Sequence, residues 1–169
     1  MSTTLCFYIV PMDPQNYEHF MRLALGEAQA AAESGEVPVG ALVVFENRVI
    51  GRGHNQTETL HDATAHAEMI ALSAAYNHFN DWRLEDCTLV CTLEPCPMCA
   101  GAAMLSRIDS LVYGAPDPKF GGCGSIVDIP AQTQFNHHIE VIGGIMKAEV
   151  AEMMKLFFQR VRKARGRVN

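Results

Sequence analysis

Two short segments dictate most of what this chain can fold into. His66-Ala67-Glu68 and Pro95-Cys96-Pro97-Met98-Cys99 together supply one imidazole and two thiolates, a donor set that suits zinc. Cys96 and Cys99 lie one helical turn apart and so face the same way. Pro97 suits the first position of a helix, and the partial positive charge at that helix end favours a thiolate. His66 and Glu68 cannot share a face of a regular helix. His66 therefore belongs to the turn that enters the helix, with Thr64 or Asp62 as its cap. The fold has to bring two helix N-termini to one point. Structural zinc sites close with four protein ligands, whereas catalytic ones use three and leave the fourth position to water. Three ligands are offered here, and Glu68, kept off the metal, is free to move protons. A redox Cys-x-x-Cys would not call for His-x-Glu upstream.

The surrounding pattern reads α-β-β-α-β-α-β-(loop)-β-α. Apolar residues recur at helical spacing over Tyr17–Ser34 (Phe20, Leu23, Ala24, Ala28, Ala31). Val37–Phe45 and Arg48–His54 read as a hairpin around Glu46-Asn47. Helices follow over Ala65–Asn77 and Pro97–Ser106, with strands over Cys87–Leu93, Ser110–Tyr113 and Ile139–Ile142. Lys147–Lys163 closes the chain as a helix with Val150, Met153, Met154, Phe157 and Phe158 on its inner face. The strand–helix–strand unit from residue 87 favours parallel pairing. The fold class is α/β, a three-layer α-β-α arrangement on a five-stranded mixed sheet. The long irregular stretch from Gly114 to His138 is a candidate substrate-contacting loop.

At 169 residues the chain suits one domain spanning 1–169. Residues 1–12 read as an N-terminal extension with Met12 as an alternative start. No apolar run is long enough to span a bilayer, and Leu5–Val10 lacks the charged start of a secretory signal. These features point to a cytoplasmic protein. The six cysteines therefore read as reduced rather than paired, and Cys91, alternating with Leu89 and Leu93, reads as core. The net charge of −6 conceals an asymmetry. Residues 147–169 hold Lys147, Lys155, Arg160, Arg162, Lys163, Arg165 and Arg167 against only Glu149 and Glu152. A basic tail on an acidic body suits a phosphate backbone; it also suits a solvated helix end whose cations complement the dipole.

His-x-Glu paired with Pro-Cys-x-x-Cys is the general signature of zinc nucleobase deaminases. Further segments narrow the likeness: Glu36-Val37-Pro38-Val39-Gly40-Ala41, Gly53-His54-Asn55, Thr92-Leu93-Glu94 before the cysteines, Ser106-Arg107-Ile108, Tyr113-Gly114-Ala115, Asp117-Pro118-Lys119, Gly124-Ser125, Phe135-Asn136-His137 and Phe157-Phe158. With these the chain, from about Tyr17 to Arg162, resembles the bacterial tRNA-specific adenosine deaminases of the cytidine deaminase-like superfamily. The resemblance implies conversion of adenosine to inosine at the wobble position of an arginine tRNA anticodon. It implies one Zn²⁺ per subunit on His66, Cys96 and Cys99, with Glu68 as proton shuttle. Asn55 becomes the base-reading amide, and backbone N–H groups near Ala67 and Cys96 hold the leaving or attacking group. Asp117, Lys119, Asn136 and His137 match positions that contact flanking nucleotides of the tRNA anticodon stem-loop. Arg83, Arg107, Phe158 and Arg162 match further RNA contacts, with Arg83 acting from the neighbouring subunit of a homodimer.

Plainer readings stand beside these. Asn55 and Asp117-Pro118 also suit turns, and Phe158 also suits a core. A small-molecule deaminase acting on guanine, cytosine or a nucleoside would share the metal site and the fold. An RNA-binding protein with a purely structural zinc would share the cysteines but would have no use for Glu68.

Overall fold

The computed structural model describes residues 14–166; the extension read at residues 1–12 and the last three residues of the tail lie outside them. After a short 3-10 turn (Pro14–Asn16) the chain forms α1 (Tyr17–Glu33), β1 (Gly40–Phe45), β2 (Arg48–His54), α2 (Thr57–Leu60) and α3 (Ala67–Phe79). It continues through β3 (Thr88–Leu93), α4 (Pro97–Leu105), β4 (Ser110–Ala115), β5 (Glu140–Gly143) and α5 (Lys147–Arg165). The single-turn α2, which no periodicity announces, is an addition to the expected order.

The sheet runs β2-β1-β3-β4-β5. β1 pairs antiparallel with both β2 and β3, and the β3–β4 and β4–β5 pairs are parallel. This is the expected mixed sheet, with a hairpin at one edge and parallel crossovers beyond it. Alternation divides the buried side chains between two cores. Ala41, Val43, Leu89, Cys91 and Leu111 pack with Ala71, Leu72 and Ala75 of α3 and Ala100, Ala103 and Met104 of α4. Leu42, Val44, Val90 and Val112 face the other way, against Phe20, Met21 and Ala24 of α1 and Val150 of α5. The layers are therefore α1/α5, sheet, and α3/α4.

Two expected stripes shift. On α1, Met21 is buried in place of Leu23, which is only partly covered. On α5, the five expected inner residues separate: Val150 is buried, Met153, Met154 and Phe157 are half-buried, and Phe158 is 39% exposed. Near its start α5 lies on β4, and it shares an open face with the last turns of α1. A groove of about 510 Å³ opens there, lined by Ala32, Met153, Leu156 and Phe157 among others. Periodicity finds an apolar stripe but not what covers it.

One close approach places the functional end of the molecule. A Cβ at Gly53 would lie 2.3 Å from the Ala67 carbonyl oxygen and 2.7 Å from the Ala71 nitrogen. Only glycine in β2 lets the first turn of α3 settle this close to the sheet.

Candidate active site

The carboxyl ends of β2, β3 and β4 and the start of β1 meet at one end of the sheet. The Asn55 N–H after β2 donates to the Val39 carbonyl at 3.0 Å, and the Gly40 N–H donates to Thr92 Oγ1 at 3.1 Å. Ala115 pairs with Leu93, so the chain leaving β4 runs beside Glu94-Pro95. In open α/β sheets this end is where ligands bind.

Both candidate donor segments arrive there as helix starts. His66 is the N-cap of α3 (φ −75°, ψ 152°) and Cys96 the N-cap of α4 (φ −69°, ψ 169°), each in extended conformation. Pro97 opens α4, as its sequence position requires. The expected cap of α3, Thr64 or Asp62, is corrected to His66 itself. Asp62 accepts hydrogen bonds from the Thr64 N–H and hydroxyl (2.8 and 2.7 Å), a local turn that delivers His66 into the capping position itself. The extended N-cap lets His66 and Glu68 converge where two helical residues at this i, i+2 spacing could not.

His66, Cys96 and Cys99 form a cluster, with all three ligand atoms within 4.8 Å of one another. His66 Nδ1 lies 3.6 Å from each sulfur. Tetrahedral zinc with ordinary Zn–N and Zn–S bonds needs an N···S separation of about 3.6 Å. Cys96 Sγ is pushed down to about 4, foremost by its hydrogen bond with Cys99, with burial opposing and His66 assisting. Cys99 is pushed up by that same hydrogen bond and by burial. The geometry and the softness of these donors fit zinc. Cys87, Cys91 and Cys123 are buried free thiols outside the cluster, in keeping with the core reading of Cys91.

Glu68 stands in the first turn of α3, only 3% exposed. Its Oε2 is the one fully buried side-chain oxygen or nitrogen among the described residues without a hydrogen-bond partner. Burial raises its pKa to about 7. A buried polar atom with no partner normally carries a penalty, so a free carboxylate oxygen beside a three-donor cluster marks a place where a reactant belongs. Ala67, fully buried, sits between the two, and its backbone N–H falls in the part of the helix whose donors have no intrahelical partner.

Asn55 is buried beside the metal turn's end of the sheet. Its Nδ2 donates to Glu36 Oε2 at 3.2 Å and to Thr57 Oγ1 at 3.1 Å. Asp117 is half-buried and Lys119 exposed; the Asp117 carboxylate accepts the Lys119 N–H at 2.8 Å, so the turn reading of this pair holds as well. The loop they begin is pinned by Glu94, a residue that sequence reasoning passed over. Its carboxylate accepts the N–H groups of Asp117, Cys123 and Ser125, each at 3.0 Å, and the Ser125 hydroxyl. A Cβ at Gly122 would lie 2.7 Å from the Pro97 nitrogen, so the loop lies directly on the start of α4. Thr57, Glu36 and Ser125 were likewise missed as site residues. The available signal was a lone acid set among apolar neighbours, as in Leu93-Glu94-Pro95.

The remaining candidates lie elsewhere. Arg107 donates to the Asn136 carbonyl and side-chain oxygens (3.2 and 2.8 Å), and His137 Nε2 bonds the Ile108 carbonyl at 2.6 Å. These residues sit where α4 ends and β4 begins, one length of the nine-residue α4, or about 13 Å, from Cys96. The Leu84 N–H donates to the Ser106 carbonyl at 2.7 Å, which brings Arg83 and the exposed Trp82 to the same end. There Arg83 stacks over Trp82, 4.2 Å from the ring centroid. Phe158 and Arg162 are exposed on α5. Within one chain, then, the structure joins Asn55, His66, Ala67, Glu68, Cys96, Cys99 and Asp117 at one end of the sheet. It gathers Arg83, Arg107, Asn136 and His137 at the other.

Residues 15–162 match the family model of the MafB19-like deaminases. The tRNA-specific adenosine deaminase of Bacillus subtilis is 45% identical over 146 residues, covering 86% of this chain and 91% of that protein. This chain belongs to the tRNA-specific adenosine deaminase family. A solved structure from a study of A-to-I editing by tRNA:A34 deaminases at the wobble position of transfer RNA superposes with TM-score 0.77 at 45% identity, over 80% of this chain and 98% of that one. The guanine deaminase of Nitrosomonas europaea shares the fold more distantly, with TM-score 0.69 and 26% identity over 83% of each chain. The family carries the cytidine deaminase-like architecture, and the layers and strand order described above agree with it.

Proposed function

We propose that this protein converts adenosine to inosine at the wobble position of an arginine tRNA anticodon, with one Zn²⁺ per subunit. The observation that carries the reading is Glu68: sealed from solvent, one oxygen unpartnered, beside a His-Cys-Cys cluster at two converging helix starts. A zinc ion held by His66, Cys96 and Cys99 would activate water by lowering its pKa toward neutrality. Glu68 would take one proton from the attacking water and deliver it to the ring nitrogen, then take the second from the newly formed hydroxyl and pass it to the amine, which leaves as ammonia. Asn55 reads the base edge, and backbone N–H groups near Ala67 and Cys96 steady the attacking or leaving group.

Identity to the tRNA-specific relative, well above that to the guanine deaminase, supports RNA over a free base as substrate. Lys119, Arg162 and the basic α5 supply attraction for the backbone, and the exposed Phe158 supplies a stacking surface for an unpaired base. A homodimer accounts for the distant cluster. Trp82 and Leu105 are 51% and 76% exposed at the end of α4, where an apolar surface suits a second subunit, and Arg83 then reaches the neighbouring site. No described helix is long and apolar enough to cross a membrane, and we place the activity in the cytoplasm with its RNA.

The test is inosine formation in an arginine tRNA anticodon stem-loop, with free guanine, cytosine and adenosine run in parallel. Inosine at the wobble position alone is the expected outcome. Ammonia from a free base with an untouched stem-loop would retain the chemistry and discard the RNA substrate, together with the roles of Lys119, Arg83 and Arg162.

A further inference from the structure

Glu36 is fully buried, a rare setting for a glutamate unless it is fully engaged. It follows the Gly35 turn that ends α1 and reaches across to the segment after β2. Its Oε1 accepts the Thr59 N–H at 2.7 Å, and its Oε2 accepts the Glu58 N–H, the Thr57 hydroxyl and Asn55 Nδ2 at 3.2, 3.4 and 3.2 Å. Burial works to raise its pKa, but the hydrogen bonds from Thr59, Glu58 and Thr57 prevail and hold it below the ordinary carboxylate value.

The consequence falls on Asn55. An ionised carboxylate only accepts hydrogen bonds, so Asn55 has to turn its nitrogen, and never its oxygen, toward Glu36. Thr57 Oγ1, itself 3.4 Å from Glu36 Oε2, receives the same nitrogen at 3.1 Å. Both acceptors therefore sit on one side of that nitrogen. Among the described residues Asn55 Oδ1 accepts no hydrogen bond. What remains for a ligand is a donor and acceptor edge of fixed sense, the kind of edge that a purine can be read with.

We infer that Glu36 is a positioning residue for base recognition: with Thr57, it fixes which way round the Asn55 amide faces the substrate. The inference rests on Asn55 as the base-reading amide. Glutamine at position 36 presents either an oxygen or an NH₂ group to Asn55 and so lets the amide turn over. A contact made equally in the bound and reacting states shows itself in KM rather than kcat.

The experiment is a double-mutant cycle of Glu36→Gln and Asn55→Ala, assayed with the stem-loop, with zinc content measured for each variant. Glu36→Gln is expected to raise KM about tenfold or more with zinc retained and kcat little changed, and to add almost nothing on the Asn55→Ala background. Thr57→Val, at a half-buried position, gives a second route to the same cycle should Glu36→Gln fail to fold. Its expected effect is smaller, in the same direction, and equally absent without the Asn55 side chain. Equal losses with and without that side chain would overturn the inference and leave Glu36 a structural group. No effect of Asn55→Ala alone would overturn it at its premise. Failure of the unaltered protein on the stem-loop, with turnover of a free base, would instead strike the RNA reading, and the cycle would be run on that base with the same two outcomes.

Discussion

Glu68 and Glu94 lie at the same end of the sheet, 3% and 2% exposed, and their surroundings treat them in opposite ways. Glu94 receives four hydrogen bonds from a single loop. Burial would raise its pKa, but the bonds from Ser125, Asp117 and Cys123 outweigh burial and leave it lowered. Glu68 keeps an oxygen with no partner, and burial raises it to about 7. The first arrangement stabilises a fixed negative charge and so holds a segment in place. The second leaves a carboxyl able to exchange protons near neutrality. One buried side-chain type thus builds both the frame and the reactive point of the site. Hydrogen-bond supply and depth of burial together decide which.

Removing the metal ought to separate the two most sharply. Chelator-treated protein is expected to lose inosine formation entirely and to regain it on adding Zn²⁺. Meanwhile the Cys123 and Ser125 N–H groups, bonded to Glu94 rather than to the metal, keep their protection from hydrogen exchange. Loss of that protection with the zinc would mean that the anchor depends on the metal and that the division is false. Glu94→Gln attacks the other side. We expect zinc to stay, stability to fall by about 1–3 kcal/mol from disrupted buried hydrogen bonds, and turnover to drop by up to about a hundredfold as the Asp117 loop shifts. Thermal unfolding and stem-loop kinetics read both. The smallest effect belongs to a residue outside either pocket. Arg162→Ala should weaken stem-loop binding alike for all sequences and reduce the slope of log affinity against log salt by about 1, with turnover of bound RNA unchanged.

The His66, Cys96 and Cys99 cluster was legible because its information is local. The spacing of Cys96 and Cys99 and the proline between them specify a helix start, whatever the rest of the chain does. The sheet was legible for the same reason, through the Val- and Leu-rich runs of β1 and β3. Glu36 and Glu94 were not, because their partners arrive from loops 19 to 31 residues farther along, and nothing in Leu93-Glu94-Pro95 records which N–H groups will come. Phe158 was read too far inward because α5 touches the sheet mainly near its start. Arg107, Asn136 and His137 match family positions by sequence, yet Arg107 bonds Asn136 and His137 bonds the Ile108 carbonyl at the far end of α4. Their distance from Cys96 is a property of topology that no motif expresses.

The most direct measurement concerns the unpartnered oxygen. Glu68→Gln keeps the shape of the side chain and removes its ability to carry a proton. Zinc content and single-turnover inosine formation would be measured on the same preparation. We expect zinc to remain near one per chain while the rate falls by about 10³-fold. An unchanged rate, or zinc lost together with the rate, would contradict the assignment of Glu68 as a proton carrier standing outside the metal cluster.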